Sequence, residues 1–433
     1  MDISGKGYQM KSEHPRGIYI LFFTEMWERF SYYGMRAILI LYLVKFFKYE
    51  DEFAGQVYGA YTGLVYLTPI LGGYIADRFI GFRKAILIGG VLMMCGHISL
   101  AFSSIEFFYL GLLLLILGNG FFKPNISTYL GTLYKDKPEL KDSGFTIFYM
   151  GINLGGMFGP LLCGYLGEVY GWHYGFGLAG VGMLIGLIVF KLGLPRLTAT
   201  ETESRKLQSK NISIPLTSIE KSRILVILIL SVFTMFFWFA FEQAGSSMNL
   251  FADRYMERNL FGYEIPASMF QSLNALLILL LAPLFARLWT ELIQRGKEPN
   301  TTLKFSLAFV LLGIGFIFLA LGAIGISPNS QVKTSMSWLV LAYIFHTMGE
   351  LCISPVGLSM VSKLSPIHLG GLLMGTWFLS NAISHYVAGF FSGKMGSFSN
   401  LSDFFLIFVY TSFVSSIILF LLNKKLTSMV HNN

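Results

Sequence analysis

The stretch TEMWERFSYY, residues 24–33, places three charged side chains inside an apolar run that extends from about Ile18 to about Phe47. The three are Glu25, Glu28 and Arg29. A charge at the centre of a bilayer costs about 2.5–3.5 kcal/mol on insertion scales, so such residues face a bundle interior or a water-filled cavity. The stretch therefore predicts a helical membrane protein whose first span borders a polar interior.

The composition also indicates a membrane protein. Of 433 residues, 54% are hydrophobic and 13% are charged, whereas soluble domains are about 25% charged. The first apolar run is too long for the apolar region of a signal peptide, so no cleavable signal is expected. The cysteines Cys95, Cys163 and Cys352 lie in apolar runs without metal-ligand spacing, and we expect all three to be small buried side chains.

Twelve apolar runs are long enough to cross a bilayer, which takes about 20 helical residues. They lie near residues 17–46, 54–77, 84–104, 107–134, 144–170, 173–193, 224–252, 266–290, 303–325, 336–362, 369–393 and 402–423. The sequence therefore predicts an all-α integral membrane protein with twelve transmembrane helices.

The distribution of Lys and Arg predicts how the chain is oriented. If the N-terminus is cytoplasmic, 23 of the 32 basic residues fall in cytoplasmic segments and 6 in outer loops. This bias follows the positive-inside rule, so we expect both termini in the cytoplasm of a cell with a plasma membrane, most simply a bacterial inner membrane. The basic residues are spread over many loops rather than gathered on one face, which argues against nucleic acid as a partner.

The longest polar stretch divides the predicted spans into two sets of six. We expect an N-terminal six-helix bundle over residues 1–194, a cytoplasmic linker over 195–221 and a C-terminal six-helix bundle over 222–433. The linker is too short and too polar to hold a further membrane hairpin.

The two halves also resemble each other weakly. WERFSYYGM at 27–35 is similar to FEQAGSSMN at 241–249, and GNGFFKPNIS at 118–127 is similar to GELCISPVGL at 349–358. The matched stretches occur in the same order in both halves, which indicates a pseudo-twofold repeat. Such repeats are typical of secondary transporters, whose substrate site lies between the repeats.

The charged residues of the first span share one face of the helix, because residues three and four apart are neighbours. This polar stripe consists of Glu25, Glu28, Arg29, Tyr32 and Arg36, with Tyr33 beside it. Glu25 and Arg29 are four residues apart and can pair on the helix itself.

Three more intramembrane charges lie elsewhere, at Lys123, Glu242 and Glu350. Three cations of the first half and two carboxylates of the second half can pair across a central cavity. A carboxylate that alternates between a paired and a protonated form carries protons, so the cavity is expected to bind a charged solute, move protons, or both. A purely structural role for these charges stays open, as does simple packing for His97 and His346.

Several stretches carry a family resemblance. EMWERFSYY at 25–33 fits the ExxERFxYY signature of the proton-dependent oligopeptide transporters, the peptide branch of the major facilitator superfamily. GGYIADRFIGFRKAI at 72–86 and FTIFYMGINLGG at 145–156 resemble two further signatures of that family. The resemblance implies the major facilitator fold, with two six-helix bundles related by a pseudo-twofold axis. The chain departs from typical bacterial members because residues 195–221 leave no room for an additional helix pair.

The resemblance also implies roles for single residues. Glu25, Glu28 and Arg29 would couple protons, and Arg36 and Glu242 would form a gating pair that takes part in coupling. The implied substrate-binding residues are Arg29 and Lys123 for the peptide carboxylate, Asn153, Asn274 and Glu350 for the amino terminus, and Tyr32, Tyr33, Arg36, Tyr66, Trp238 and Trp377 around the side chains. No cofactor or metal is expected, because the proton gradient supplies the energy.

The resulting hypothesis is a monomeric proton-coupled symporter that imports di- and tripeptides by alternating access in the lipid bilayer. The nearest alternative is a proton-coupled transporter of the same fold that carries another solute, such as nitrate, a peptide-like drug or an amino-acid derivative. An intramembrane enzyme is disfavoured because the sequence has neither HExxH nor GxSxG. A channel is disfavoured by the twofold repeat of twelve spans.

Overall fold

The computed structural model describes residues 13–197, 216–366 and 369–431. The α-helices of these ranges are α1 Gly17–Lys45, α2 Asp51–Ile75, α3 Phe82–Leu100, α4 Ile105–Leu133, α5 Lys141–Tyr165, α6 Trp172–Gly193, α7 Ser218–Phe241, α8 Ser247–Tyr255, α9 Ser272–Gln294, α10 Thr301–Gly322, α11 Ser337–Leu364, α12 Gly370–Ser392 and α13 Leu401–His431. α7 and α8 follow each other within one interrupted span. The helices of the described residues therefore form twelve spans, as predicted. Residues 198–215, most of the expected linker, lie outside the described residues.

The spans form two six-helix bundles, α1–α6 and α7–α13. In the first bundle α1 packs on α5 and α6, and α3 packs on α4 and α6. In the second, α10 packs on α11 and α13, and α7 packs on α12. Two helix pairs join the bundles, α2 with α12 and α5 with α9. In each pair the second span of one half contacts the fifth span of the other half, which is the pattern that a pseudo-twofold axis produces.

Nine helical segments of the described chain are long and apolar enough by themselves to cross a membrane. The three remaining spans are α1, α2 and α12, whose sequences are less apolar because they turn polar residues and glycines toward other helices. The protein is thus an integral multi-pass membrane protein. Cys163 and Cys352 are buried, but the expectation for Cys95 is wrong, because this residue is exposed on α3. Cys95 lies on the face of α3 that the other helices leave uncovered, whereas Met93 and His97 lie on its buried face.

The seventh span is interrupted where α7 meets α8. A 3₁₀ turn, Glu242–Gly245, separates the two helices. A Cβ added at Gly245 would lie 3.0 Å from the Arg36 guanidinium and would also crowd Tyr58. The glycine therefore allows the turn to approach α1, and this approach brings Glu242 to Arg36.

Two helix ends within the first bundle have the same unusual form. α2 continues into the π-helical turn Ala76–Ile80 and α5 into the π-helical turn Leu166–Tyr170. Each ends at a glycine with positive φ, Gly81 at 80° and Gly171 at 137°. Only glycine adopts such angles at little cost, so these residues set the reversals into α3 and α6.

Short strands occur in the loops of the second bundle. β1 Met256–Glu257 pairs in parallel with β4 Thr334–Ser335, and β2 Asn259–Leu260 pairs antiparallel with β3 Tyr263–Glu264. They lie on the side of the bundle away from both termini, which we call the distal side. Each strand has only two residues, so the protein still belongs to the all-α class, as predicted.

The distal side is closed by contacts between the two halves. Arg254 forms a bidentate pair with Asp51, at 2.5 and 2.7 Å. Lys45 lies 2.5 Å from Asp253, and Lys394 pairs with Glu52. Exposed pairs contribute only about 0–1 kcal/mol each, so these contacts fix the position of the halves more than they stabilise the fold.

Glycines bring α2 and α12 unusually close on the same side. A Cβ added at Gly59 would lie 2.6 Å from the carbonyl oxygen of Tyr386, and one at Gly55 would lie 2.5 Å from the carbonyl oxygen of Gly389. Real Cβ atoms do not approach backbone atoms so closely. This contact between the halves therefore depends on the absence of side chains at these positions.

Candidate substrate and proton site

The charged stripe of α1 folds into one buried cluster. The Arg29 Nε lies 2.7 Å from Glu25 Oε1 and 2.7 Å from Glu28 Oε2. Glu25 is 2% exposed, Glu28 0% and Arg29 4%. The pair expected between Glu25 and Arg29 is therefore present, and Glu28 joins it. Two carboxylates share one guanidinium, so this buried cluster carries one excess negative charge unless a proton binds.

Lys123 on α4 contacts an aromatic ring rather than a carboxylate. Its Nζ lies 3.9 Å from the ring centre of Tyr66 on α2, a cation–π contact that contributes about 0.5–2 kcal/mol. Among the described ion pairs none includes Lys123. The pair across the cavity that the sequence allowed for Lys123 is therefore not formed, and Lys123 contacts Tyr66 instead.

Arg36 and Glu242 do meet across the two halves. The Arg36 Nη2 lies 2.5 Å from Glu242 Oε2, and the Arg36 Nε donates a hydrogen bond of 2.9 Å to the hydroxyl of Tyr58. Both charged side chains are more than nine-tenths buried. Arg29 and Arg36 lie two turns apart on α1 and have different partners. Arg29 pairs with carboxylates of its own helix, whereas Arg36 pairs with a carboxylate of the other bundle.

Glu350 on α11 has an amide partner rather than a cation. The Asn274 Nδ2 on α9 donates to Glu350 Oε2 at 2.8 Å and also lies 3.1 Å from Thr347 Oγ1. Asn153, expected beside them, donates to the carbonyl oxygen of Tyr149 on its own helix at 2.9 Å. The structure therefore joins Glu350 with Asn274, while the Asn153 amide is bound within α5.

The aromatic candidates separate into two groups by exposure. Tyr33, Tyr66 and Trp238 are partly exposed, as are Lys123, Asn274 and Glu350. Tyr32 is 2% exposed and Trp377 is 3% exposed. Trp377 packs edge-on against Phe305, with ring centres 6.4 Å apart, so in this conformation it offers little surface to a ligand. The partly exposed group forms the accessible wall of the interior.

One ionisable residue of the interior was missed by the sequence analysis. His385 on α12 is 2% exposed, and its Nε2 lies 3.1 Å from Glu242 Oε1. His97 and His346, which the sequence analysis did consider, lie elsewhere; the ring of His346 is 4.5 Å from that of Phe316. His385 lies in an apolar span, so the rule that ionisable residues in spans deserve a functional hypothesis would have found it.

Comparison with known proteins gives a consistent result. A sequence model of the POT family matches residues 83–223 and 200–404. The uncharacterized transporter YclF of Bacillus subtilis (strain 168) is 39% identical, with 87% of this chain and 88% of the relative covered. The peptide transporter YePEPT of Yersinia enterocolitica subsp. palearctica is 34% identical, with 88% of each chain covered. The di-/tripeptide transporter of Lactococcus lactis subsp. lactis is 32% identical, over 86% of this chain and 88% of the relative.

A solved structure has the same fold throughout. The crystal structure of the peptide transporter POT in complex with sulfate matches with a TM-score of 0.86 and 32% identity, and the match covers 96% of each chain. This agreement includes both six-helix bundles, which confirms the major facilitator architecture that the resemblance implied.

Proposed function

This chain belongs to the POT family of transporters, and from that premise we propose that it is a proton-coupled symporter that imports di- and tripeptides. The observation that carries the proposal is a pair of opposite charges in the interior that form no ion pair. Lys123 lies in one half and Glu350 in the other, and neither belongs to any ion pair among the described residues. A zwitterionic solute supplies the missing partner to both.

A peptide fits this arrangement better than a simple anion. Its carboxylate can approach Lys123, and its ammonium group can approach Glu350 beside Asn274, which donates to the same carboxylate. An anion such as nitrate satisfies Lys123 and leaves Glu350 without a cation. Tyr33, Tyr66 and Trp238 provide partly exposed aromatic surface. Apolar contacts distinguish side chains by only about 1–3 kcal/mol per methylene, so broad specificity for peptides follows.

The cluster on α1 is the proposed site of proton coupling. Glu25 and Glu28 compete for Arg29, and a proton on either carboxylate frees the guanidinium to interact with a peptide carboxylate. Arg29 then alternates between the buried carboxylates and the substrate. Arg36 and Glu242 would act as the gate, since their pair joins the two halves.

Further parts of the proposal concern the setting of the protein. The excess of basic residues on the side of the termini supports cytoplasmic termini, so the closed distal side would face outward. We place the chain in a bacterial inner membrane as a monomer, with bundles over 1–194 and 222–433 joined by the linker 195–221. The proton gradient would supply the energy without a cofactor.

Reconstitution in liposomes tests the function directly. Vesicles that contain only this protein are loaded at high pH and diluted into buffer of lower pH with a radiolabelled dipeptide. Concentrative uptake that protonophores abolish is the expected result. Concentrative uptake without a proton gradient, or no uptake at any gradient, would contradict proton-coupled peptide import.

Competition separates the peptide proposal from the nearest alternative. Unlabelled dipeptides and tripeptides should compete with the labelled dipeptide, whereas nitrate should not. If an amino-acid derivative competes better than any dipeptide, the protein is a proton-coupled transporter of the same fold whose natural solute is not a peptide.

A further inference from the structure

The helical segment that leads into α9 begins without a cap of its own. The 3₁₀ turn Ala267–Gln271 continues directly into α9, and the residue before the turn is Pro266, which makes no side-chain hydrogen bond to it. The first N–H groups of a helix have no acceptor within the helix. The donors at the start of this span therefore need an acceptor from elsewhere in the chain.

Glu168 of the first bundle supplies that acceptor. It lies in the π-helical turn at the distal end of α5. Its Oε1 accepts hydrogen bonds from the Ser268 N–H at 2.8 Å and the Ser268 hydroxyl at 2.5 Å. Its Oε2 accepts a hydrogen bond from the Ala267 N–H at 3.1 Å. A carboxylate suits this position because the N-terminus of a helix carries a partial positive charge.

The surroundings of these hydrogen bonds indicate a close fit between the two bundles. Ala267 is 1% exposed and Ser268 is 0% exposed, so water does not reach these donors in this conformation. A Cβ added at Gly164 on α5 would collide with the Ser268 hydroxyl. The glycine therefore leaves the space in which the Ser268 side chain reaches Glu168.

A second contact holds the other end of the same turn. The Gln271 Nε2 donates to the carbonyl oxygen of Ala37 on α1 at 3.2 Å, and the Asn249 Nδ2 of α8 donates to the same oxygen at 2.8 Å. The turn is thus bound to the first bundle at both of its ends. Of these two contacts, the one at Glu168 uses an ionisable acceptor, and hydrogen bonds to an ionised group are about twice as strong as neutral ones.

Opening of the distal side would break the contact at Glu168. The distal ends of α5 and α9 belong to different bundles, so they separate when the bundles move apart there. Glu168 would then enter water, while the Ala267 and Ser268 N–H groups would lose the acceptor that Pro266 cannot replace. An unpaired backbone donor costs free energy where water is absent, so the contact biases the equilibrium toward the closed form.

We propose that Glu168 is a positioning residue of the transport cycle, which docks the start of α9 onto α5 and holds the distal side closed. The docked turn runs into the part of α9 that carries Asn274, and Asn274 donates to Glu350 at 2.8 Å. The same docking therefore fixes one wall of the candidate substrate site. The role in transport rests on the proposed function, whereas the docking itself does not depend on the solute.

Distance measurements across the distal side test this role without any substrate. Spin labels are placed at Glu50→Cys and Val332→Cys, exposed positions in opposite halves, in a Cys95→Ser background that removes the exposed cysteine. Glu168→Gln keeps the size of the side chain but turns an NH₂ group toward one of the donors. The open-to-closed ratio should rise about 5-fold, the typical effect of losing a capping side chain. A packing role alone predicts the wild-type ratio.

A double-variant cycle shows whether the effect passes through the docked turn. Ser268→Ala removes the hydroxyl donor and should raise the ratio less than Glu168→Gln does, because both N–H donors remain. In a Glu168→Ala background, which has no acceptor, Ser268→Ala should change the ratio little. Glu106→Gln is the matched control, an exposed carboxylate at the distal start of α4, and should give the wild-type ratio.

The outcomes distinguish this inference from the proposed function. A wild-type ratio in Glu168→Gln, or an equal effect of Ser268→Ala in both backgrounds, would overturn the docking role. If Glu168→Gln does not fold, the milder Ser268→Ala variant still decides, because the proposal requires its ratio to exceed that of wild type. Failure of dipeptide uptake in liposomes would refute the peptide symporter and leave the distance result to be judged by itself.

Discussion

Arg36 of α1 and Glu242 at the end of α7 form a buried ion pair of 2.5 Å that joins the two halves of the protein. The residues are 206 positions apart in the chain, and the broken seventh span brings them together. A buried pair of this kind contributes little net stability to a fold. Its position between two bundles instead suits a contact that forms and breaks as the bundles move.

The first prediction concerns this pair. Arg36→Ala and Glu242→Ala should each impair dipeptide uptake, because each leaves an unpaired buried charge at a cost of about 3–5 kcal/mol. The double variant should lose far less than the sum, since neither charge then remains. The exchange Arg36→Glu with Glu242→Arg should restore only part of the uptake, because the new arginine would face His385.

The matched control for this cycle is the pair Lys394 and Glu52 on the distal side. The two side chains are 36% and 48% exposed, so removal of either partner should cost less than about 1 kcal/mol. Additive losses at Arg36 and Glu242, without recovery in the exchanged variant, would show that the two residues act separately.

The second prediction concerns the α1 cluster. Glu28→Gln should abolish uptake driven by a pH gradient, because the remaining carboxylate and Arg29 neutralise each other and no proton is required. Exchange of labelled for unlabelled dipeptide should continue, since exchange needs no net proton movement. Glu106→Gln, an exposed carboxylate at the start of α4, is the control and should keep both activities. Normal concentrative uptake by Glu28→Gln would assign coupling elsewhere.

The third prediction tests the two charges that we propose bind the ends of the peptide. Glu350→Gln should weaken dipeptides with a free amino terminus by about 2–5 kcal/mol, the loss typical of a desolvated charge pair, and N-acetylated dipeptides much less. Lys123→Gln should do the reverse, weakening free carboxylates more than C-terminal amides. Competition assays with the four peptide forms measure both effects. Equal losses for free and blocked peptides in either variant would reject that residue as the terminus-binding group.

The fourth prediction concerns the close approach of α2 and α12. Gly59→Ala should hinder closure of the distal side, because the new methyl group would lie 2.6 Å from the carbonyl oxygen of Tyr386. Spin labels at Glu50→Cys and Val332→Cys, exposed positions in opposite halves on the distal side, should then report the open form in excess, and uptake should fall with the protein still folded. Gly177→Ala in α6, where nothing lies within 4 Å, should change neither. Unchanged distances in Gly59→Ala would mean that this contact does not limit closure.

Much of the architecture followed from local patterns in the sequence. Each span is a run of apolar residues, and the helix periodicity alone placed Glu25 four residues before Arg29 on one face. These features depend on neighbours within one or two turns, so sequence spacing is sufficient to predict them. The motifs of α1, the α2–α3 turn and α5 also identified the family, which the sequence and structural comparisons confirmed.

The contacts between helices required the tertiary structure. Sequence spacing gave no reason to place His385 beside Glu242, or to turn Lys123 toward Tyr66 rather than toward a carboxylate. Such contacts depend on the break at Glu242–Gly245 and on the rotation of each helix in its bundle, which many packed neighbours decide together. The sequence by itself thus determined which residues are charged within the membrane. Only the packing of the helices decided which of those charges pair with one another and which, as at Lys123 and Glu350, form no ion pair among the described residues.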